Sequence, residues 1–181
     1  MSNRRLPAAL ATAVAVLVLG GLPGIAAGKD AGEHTPLPAP PAFADRALRA
    51  YFGEAGSDDA RGPFHERMSA VLAAPDGGTK EQARAWDIGE GRVLQAGCRQ
   101  DGCAEKGAVV YDSATQSALV AGVLRMGCGD AEPAPAGCAP TSTLTVFMSA
   151  TRPAPFQALA AIDSWADARA PGAARELRTL P

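Results

Sequence analysis

The chain has 181 residues, 47% of them hydrophobic and 20% charged, with 17 basic and 19 acidic side chains and a net charge of −2. That length supports one modest domain around a single core. The mildly acidic balance argues against a nucleic-acid binder, which needs a basic surface to replace counterions, and is compatible with a basic protein partner, because opposite charge speeds encounter.

The N-terminus reads as an export signal. Arg4 and Arg5 precede a charge-free apolar run from Ala8 to Leu22, which ends in Pro23, Gly24 and the small-residue stretch Ile25-Ala26-Ala27-Gly28 before Lys29 and Asp30. This order is that of a secretory signal peptide. The run is shorter than the roughly 20 apolar residues of a membrane-spanning helix, and Pro23 stands where such a helix would continue. Residues 1–27 are assigned to the signal, with cleavage after Ala27 or Gly28. No stable membrane anchor is expected, and no lipid anchor either, since the first cysteine is Cys98. Arg4 and Arg5 are the only charges of the signal, so its removal leaves 15 basic and 19 acidic residues and a net charge of −4.

Residues 28–41 form a linker. Pro36, Pro38, Pro40 and Pro41 fix the backbone and remove donors, which predicts an extended segment. The folded domain is placed at 42–181. Phe43, Ala47, Leu48, Tyr51 and Phe52 share one helical face, which Gly53 and Gly56 end. Pro63 suits a first helical position, and Phe64, Met68, Val71 and Leu72 give a second apolar face, stopped by Pro75, Gly77 and Gly78. Short segments rich in Val, Leu, Phe and Tyr follow: Gln82–Ile88, Arg92–Cys98, Ala108–Tyr111, Ala118–Leu124 and Thr143–Ser149. The connections at Gly89-Glu90-Gly91, Arg99–Gly102 and Asp112–Ser117 are short, which favours antiparallel neighbours. A last helix starts at Pro155, buries Phe156, Leu159, Ile162 and Trp165, and is closed by Pro171. The expected fold is therefore α+β, a five-stranded antiparallel meander with helices packed on it.

The four cysteines, Cys98, Cys103, Cys128 and Cys138, imply disulfides in an exported chain. Four cysteines permit three pairings. Spacing favours the local bridges Cys98–Cys103 and Cys128–Cys138, each around a polar or Pro/Gly-rich loop between strands; bridging between the two pairs stays open until geometry decides. Such small rings contribute about 2 and 3 kcal/mol on loop entropy. Zinc fits poorly: the spacings are not those of a finger, and the only histidines are His34, in the linker, and His65, on the second helix. No metal or other cofactor is expected. Enzyme readings are weak as well. The Cys98/Cys103 spacing lacks the close C-x-x-C arrangement of a redox pair. His65 and Ser69 lie at helical spacing with no orienting acid identified. Trp86 and Trp165 are read as core.

The stretch Gly97-Cys98-Arg99-Gln100-Asp101-Gly102-Cys103, followed by Ala104–Gly107 and then Ala108-Val109-Val110-Tyr111-Asp112, resembles the inhibitor of vertebrate lysozyme (Ivy) family. There a strand ends in a cysteine-bracketed loop reading Cys-Lys-Pro-His-Asp/Asn-Cys. An Ile-Ala-Val-aromatic strand follows, then an apolar strand containing glycine, a place taken here by Ala121-Gly122-Val123-Leu124. Leu144-Thr145-Val146-Phe147 is similar to the family's later strand. The resemblance covers Ala42 to Ala150. It implies a periplasmic, non-enzymatic protein of a Gram-negative bacterium whose bracketed loop, Arg99, Gln100, Asp101 and Gly102, enters the active-site cleft of a lysozyme or lytic cell-wall enzyme. Homodimerisation is left open. The departures fall in the loop itself: Arg99 replaces the family's lysine, Gln100 its proline and Asp101 its histidine. An aspartate facing two carboxyl groups meets repulsion and loses hydration. Either Arg99 supplies the cation, since a guanidinium can bridge carboxylates, or the loop serves another cell-wall enzyme or partner, or only closes a hairpin, for which Asp-Gly is itself a good turn sequence.

Overall fold

The computed structural model describes residues 35–53, 63–74, 84–99, 103–127 and 141–181. Residues 1–27, expected to be an export signal, lie outside the described residues. The elements run β1 (Thr35–Pro36), α1 (Ala44–Phe52), α2 (Phe64–Leu72), β2 (Ala85–Gly89), β3 (Arg92–Cys98), β4 (Glu105–Asp112), β5 (Ser117–Arg125), β6 (Thr143–Ser149), α3 (Phe156–Asp167) and β7 (Ala174–Leu180). They form one sheet in the order β1-β2-β3-β4-β5-β6-β7.

The fold is α+β with a mostly antiparallel sheet and three helices, but the strand count is seven, not five. The expected meander is present as β2 to β6, each strand antiparallel to the next. Two strands escaped the pattern reading. Thr35 and Pro36 of the proline-rich stretch pair with Asp87 and Trp86 of β2, and Leu37 donates its N–H to the Ala85 carbonyl at 2.8 Å. At the other edge β7 lies parallel to β6. A parallel neighbour needs a crossover, and α3 supplies it. The wholly antiparallel expectation is corrected here: the last helix leads into a further strand instead of ending the domain.

Both sheet faces are covered. Helices α1 and α2 pack Leu48, Tyr51, Phe52, Met68 and Leu72 against Val109, Tyr111, Ala121 and Phe147. On the opposite face α3 packs Ala158, Ala161, Ile162 and Trp165 against Leu94, Val110, Val120, Leu124 and Leu144. This explains why β4 shows no polar alternation: from Gly107 to Tyr111 every residue is buried, as in any strand roofed on both sides. The aromatic side chains of the α1/α2 face interlock, with Phe52 and Phe147 rings edge-on at 5.8 Å and Phe43 and Tyr111 at 6.0 Å. Trp165 is buried, as expected of core, whereas Phe156 is 83% exposed. Phe156 is the first residue of α3 and faces outward, contrary to its expected burial; the small side chains Ala158, Ala161 and Ala166 meet the sheet instead.

The β2–β3 turn is a two-residue loop in which Glu90 and Gly91 both have positive φ, 53° and 71°. This is the twist that matches right-handed strands. Across the sheet, Tyr51 donates its hydroxyl to the Phe147 carbonyl at 2.9 Å and at 3.3 Å to that of Leu119. Burial lifts the Tyr51 phenol from its ordinary 10.0 to about 12. Because the folded value is the higher one, the stabilisation is fully present below pH 10 and is lost as the pH rises through 12. Tyr51→Phe is therefore expected to lower stability by about 1 kcal/mol near neutrality. It should also shallow the alkaline loss of stability, measured as urea midpoints across that pH range. Tyr111, also raised by burial, keeps the remainder of the slope.

Candidate functional site

Strand β3 enters its turn at Cys98, which is buried, and β4 begins at Glu105. Between them Cys98 and Cys103 form a disulfide with a Cα–Cα distance of 5.0 Å, so the expected local bridge is present. The backbone tightens the same loop. Arg99 N–H donates to the Glu105 carbonyl at 3.0 Å, and Cys103 N–H donates to the Arg99 carbonyl at 3.2 Å. Cys103 has φ of +57°, a left-handed conformation that a non-glycine residue adopts only where its surroundings hold it there. Arg99 is exposed. Gln100, Asp101 and Gly102, the other predicted contact residues, lie outside the described residues, as do Cys128 and Cys138.

The ends of the second cysteine-bearing connection are placed. Met126 N–H donates to the Ala104 carbonyl at 2.9 Å, and Gly127 N–H to Ser142 Oγ at 2.8 Å. The β5–β6 connection thus leaves and re-enters the sheet beside the 99–104 loop. This follows from the meander: alternate connections return to the same end of the sheet. Sequence spacing grouped the cysteines in pairs, and the topology brings both cysteine-bearing connections to one end.

The charges at this end were only partly legible. Glu105 sits between Arg67 of α2, at 3.7 Å, and Arg125 of β5, at 3.8 Å. Lys106 is the register partner of Cys98. These partly exposed ion pairs are worth at most about 1 kcal/mol each. Their consequence is a base for the loop in which α2, β4 and β5 are tied through one carboxylate. Glu105 follows the loop by two residues and could have been suspected, but Arg67 is remote in sequence and carried no signal. An exposed guanidinium on a covalently closed loop is suited to meet a carboxylate on a partner.

The loop is a small ring and a local one. The Cys98→Ser/Cys103→Ser variant is expected to lose about 2 kcal/mol of stability. Amide exchange should rise over 99–104 while the β4–β5 ladder stays protected, as hydrogen exchange would show. A general loss of protection across the sheet would mean that the bridge does more than shape the loop.

His65 is buried rather than partly exposed, and the Ser69 hydroxyl donates to Asp45 Oδ1 at 3.2 Å. Among the described residues no group of three or more His, Cys, Asp or Glu side chains is placed to hold a metal, and no helix is long and apolar enough to cross a membrane. No protein-family model matches the chain, and neither a curated protein nor a solved structure matches it.

Proposed function

We propose that this protein is an exported, periplasmic inhibitor of lysozyme-like cell-wall hydrolases, of the inhibitor of vertebrate lysozyme kind, and that it acts by inserting the Arg99–Gly102 loop into the enzyme's cleft. The observation that carries the reading is the Cys98–Cys103 disulfide, which closes the β3–β4 loop at the end of a two-face-covered sheet with Arg99 exposed. The motif resemblance and the helix-helix-strand order support it.

The chemistry of the target makes such a loop effective. Lysozymes work with a protonated acid of raised pKa and a second, ionised carboxylate on either side of the scissile bond. A guanidinium delivered between them can pair with the ionised carboxylate and block the sugar chain. Covalent closure of the loop lowers the ordering cost of binding. The acidic mature chain and the basic surface expected of a lysozyme favour encounter. Asp101, at the family's histidine position, favours a second reading, in which the same fold binds a bacterial lytic enzyme or another cell-wall partner and has lost lysozyme inhibition. Inhibition assays against chicken-type, goose-type and bacterial lytic enzymes separate the two. Inhibition of a chicken- or goose-type lysozyme supports the first reading, inhibition of bacterial lytic enzymes alone supports the second, and failure with all three classes rejects both.

A further inference from the structure

We infer that β7 is a dimerisation edge, and that its occupant is the β7 strand of a second copy of this chain, paired antiparallel about a twofold axis at Leu177. The two edges of the sheet differ. Strand β1 is two residues long, contains Pro36 and is followed by Pro38, Pro40 and Pro41, the short, proline-blocked form that prevents strand addition. Strand β7 is seven residues long, regular in register along all of β6, and exposed over nearly its whole length. Among the described residues it has one neighbour, β6. Long, straight, uncovered edges are templates for another strand.

The register selects the partner. Ala174 N–H donates to Ser142 of the β6 side, and the Leu180 carbonyl accepts from Ala150 N–H. Residues 174, 176, 178 and 180 therefore turn their backbone groups to β6, and Arg175, Leu177 and Thr179 turn theirs to the open edge. An antiparallel twofold at Leu177 sets Leu177 opposite Leu177 and Arg175 opposite Thr179 as hydrogen-bonded pairs, giving about six new backbone hydrogen bonds. The intervening closer pairs then set Glu176 of each copy against Arg178 of the other. Opposite charges facing one another across a strand pair favour association, and like charges oppose it. Centring the axis on Arg175 or Thr179 instead shortens the overlap and sets Glu176 against Ala174, or Arg178 against Leu180.

The exposed apolar groups lie where this pairing would cover them. Leu177 is 62% exposed and Phe156 83%, and both line an open groove of about 590 Å³ with Val146, Met148 and Leu159 between α3 and the β6–β7 edge. The axis brings the second Leu177 to the mouth of that groove. It also turns the two Arg99 residues, at the start of β4 and so at the N-terminal end of β7, toward opposite ends of the joined sheet.

Sedimentation velocity on the chain as a bacterial host processes it is expected to show a concentration-dependent monomer–dimer equilibrium. Glu176→Arg or Arg178→Glu alone should raise the dimer dissociation constant about tenfold. The double swap Glu176→Arg/Arg178→Glu should restore it. A chain that stays monomeric up to on the order of 0.1 mM overturns the inference. So does a dimer indifferent to both single changes, or single changes that the double swap does not rescue. Should a reversal unfold the chain, hydrogen exchange on the wild type decides. The amides of Arg175, Leu177 and Thr179 must gain protection as concentration rises, and unchanged exchange there overturns the pairing.

Discussion

Gly97→Ala is expected to destabilise the protein by about 3 kcal/mol, read as a fall in the urea midpoint at unchanged slope. Gly97 and Gly107 face each other across β3 and β4, and together they leave a trough in the α1/α2 face of the sheet. The C-terminal turn of α2 rests in it. A Cβ on Gly97 would lie 2.3 Å from the Val71 carbonyl oxygen, 2.6 Å from that of Ala74 and 2.8 Å from Leu72 Cα. All three are backbone atoms and cannot rotate aside, so the helix has to lift. Lifting it uncovers Met68, Val71 and Leu72, and it draws Arg67 away from Glu105 at the base of the loop. Gly107→Ala is the internal control. Its Cβ would meet the Met68 sulfur at 2.8 Å and Val71 Cγ1 at 2.9 Å, which are side-chain atoms, and the methionine is flexible enough to yield. A loss of about 1 kcal/mol is expected there. If Gly97→Ala is no more damaging than Gly107→Ala, α2 is not seated on the β3 backbone.

The second large effect is functional. If the protein inhibits a lysozyme-like enzyme as proposed, with Arg99 buried against a carboxylate, Arg99→Ala is expected to weaken inhibition by about 2–4 kcal/mol, the usual cost of removing one partner of a buried, hydrogen-bonded charge pair. Inhibition constants of wild type and variant at one ionic strength measure it. Asp101→His should act in the opposite direction on a chicken-type lysozyme. It removes a charge that repels the catalytic carboxylates and puts a donor at the position where the resembling family has one. Wild-type inhibition that survives Arg99→Ala unchanged would place the contact elsewhere on the molecule. If neither wild type nor Asp101→His inhibits any lysozyme, the loop serves another end and the inhibitor reading falls. Arg99→Ala should lower stability by no more than about 1 kcal/mol, the ceiling for an interaction made by an exposed charge. A large stability loss would show that its role is structural.

The sequence by itself determined the elements whose burial is periodic. Helix α1 was legible because Ala47, Leu48, Tyr51 and Phe52 recur at helical spacing and all meet the sheet. Strands β3 and β6 were placed to the residue because apolar runs bounded by turn residues have one economical conformation. The Cys98–Cys103 bridge followed from its spacing within that strand context. Tertiary structure decided what local pattern does not encode. Strand β7, Ala-Arg-Glu-Leu-Arg-Thr-Leu, buries almost nothing. It is held by the row of donors and acceptors that β6 leaves open and by the pairing of Arg175 with Asp163 and Asp167 of α3, and both exist only once the sheet and helix are in place. Thr35 and Pro36 joined β2 for the same reason. Phe156 is apolar and so looks like core, but it lies off the helical face of Ala158, Ala161, Ile162 and Trp165 that meets the sheet. Arg67 came to Glu105 because Gly97 and Gly107 let α2 lie against the strands, a contact between residues that no local spacing connects.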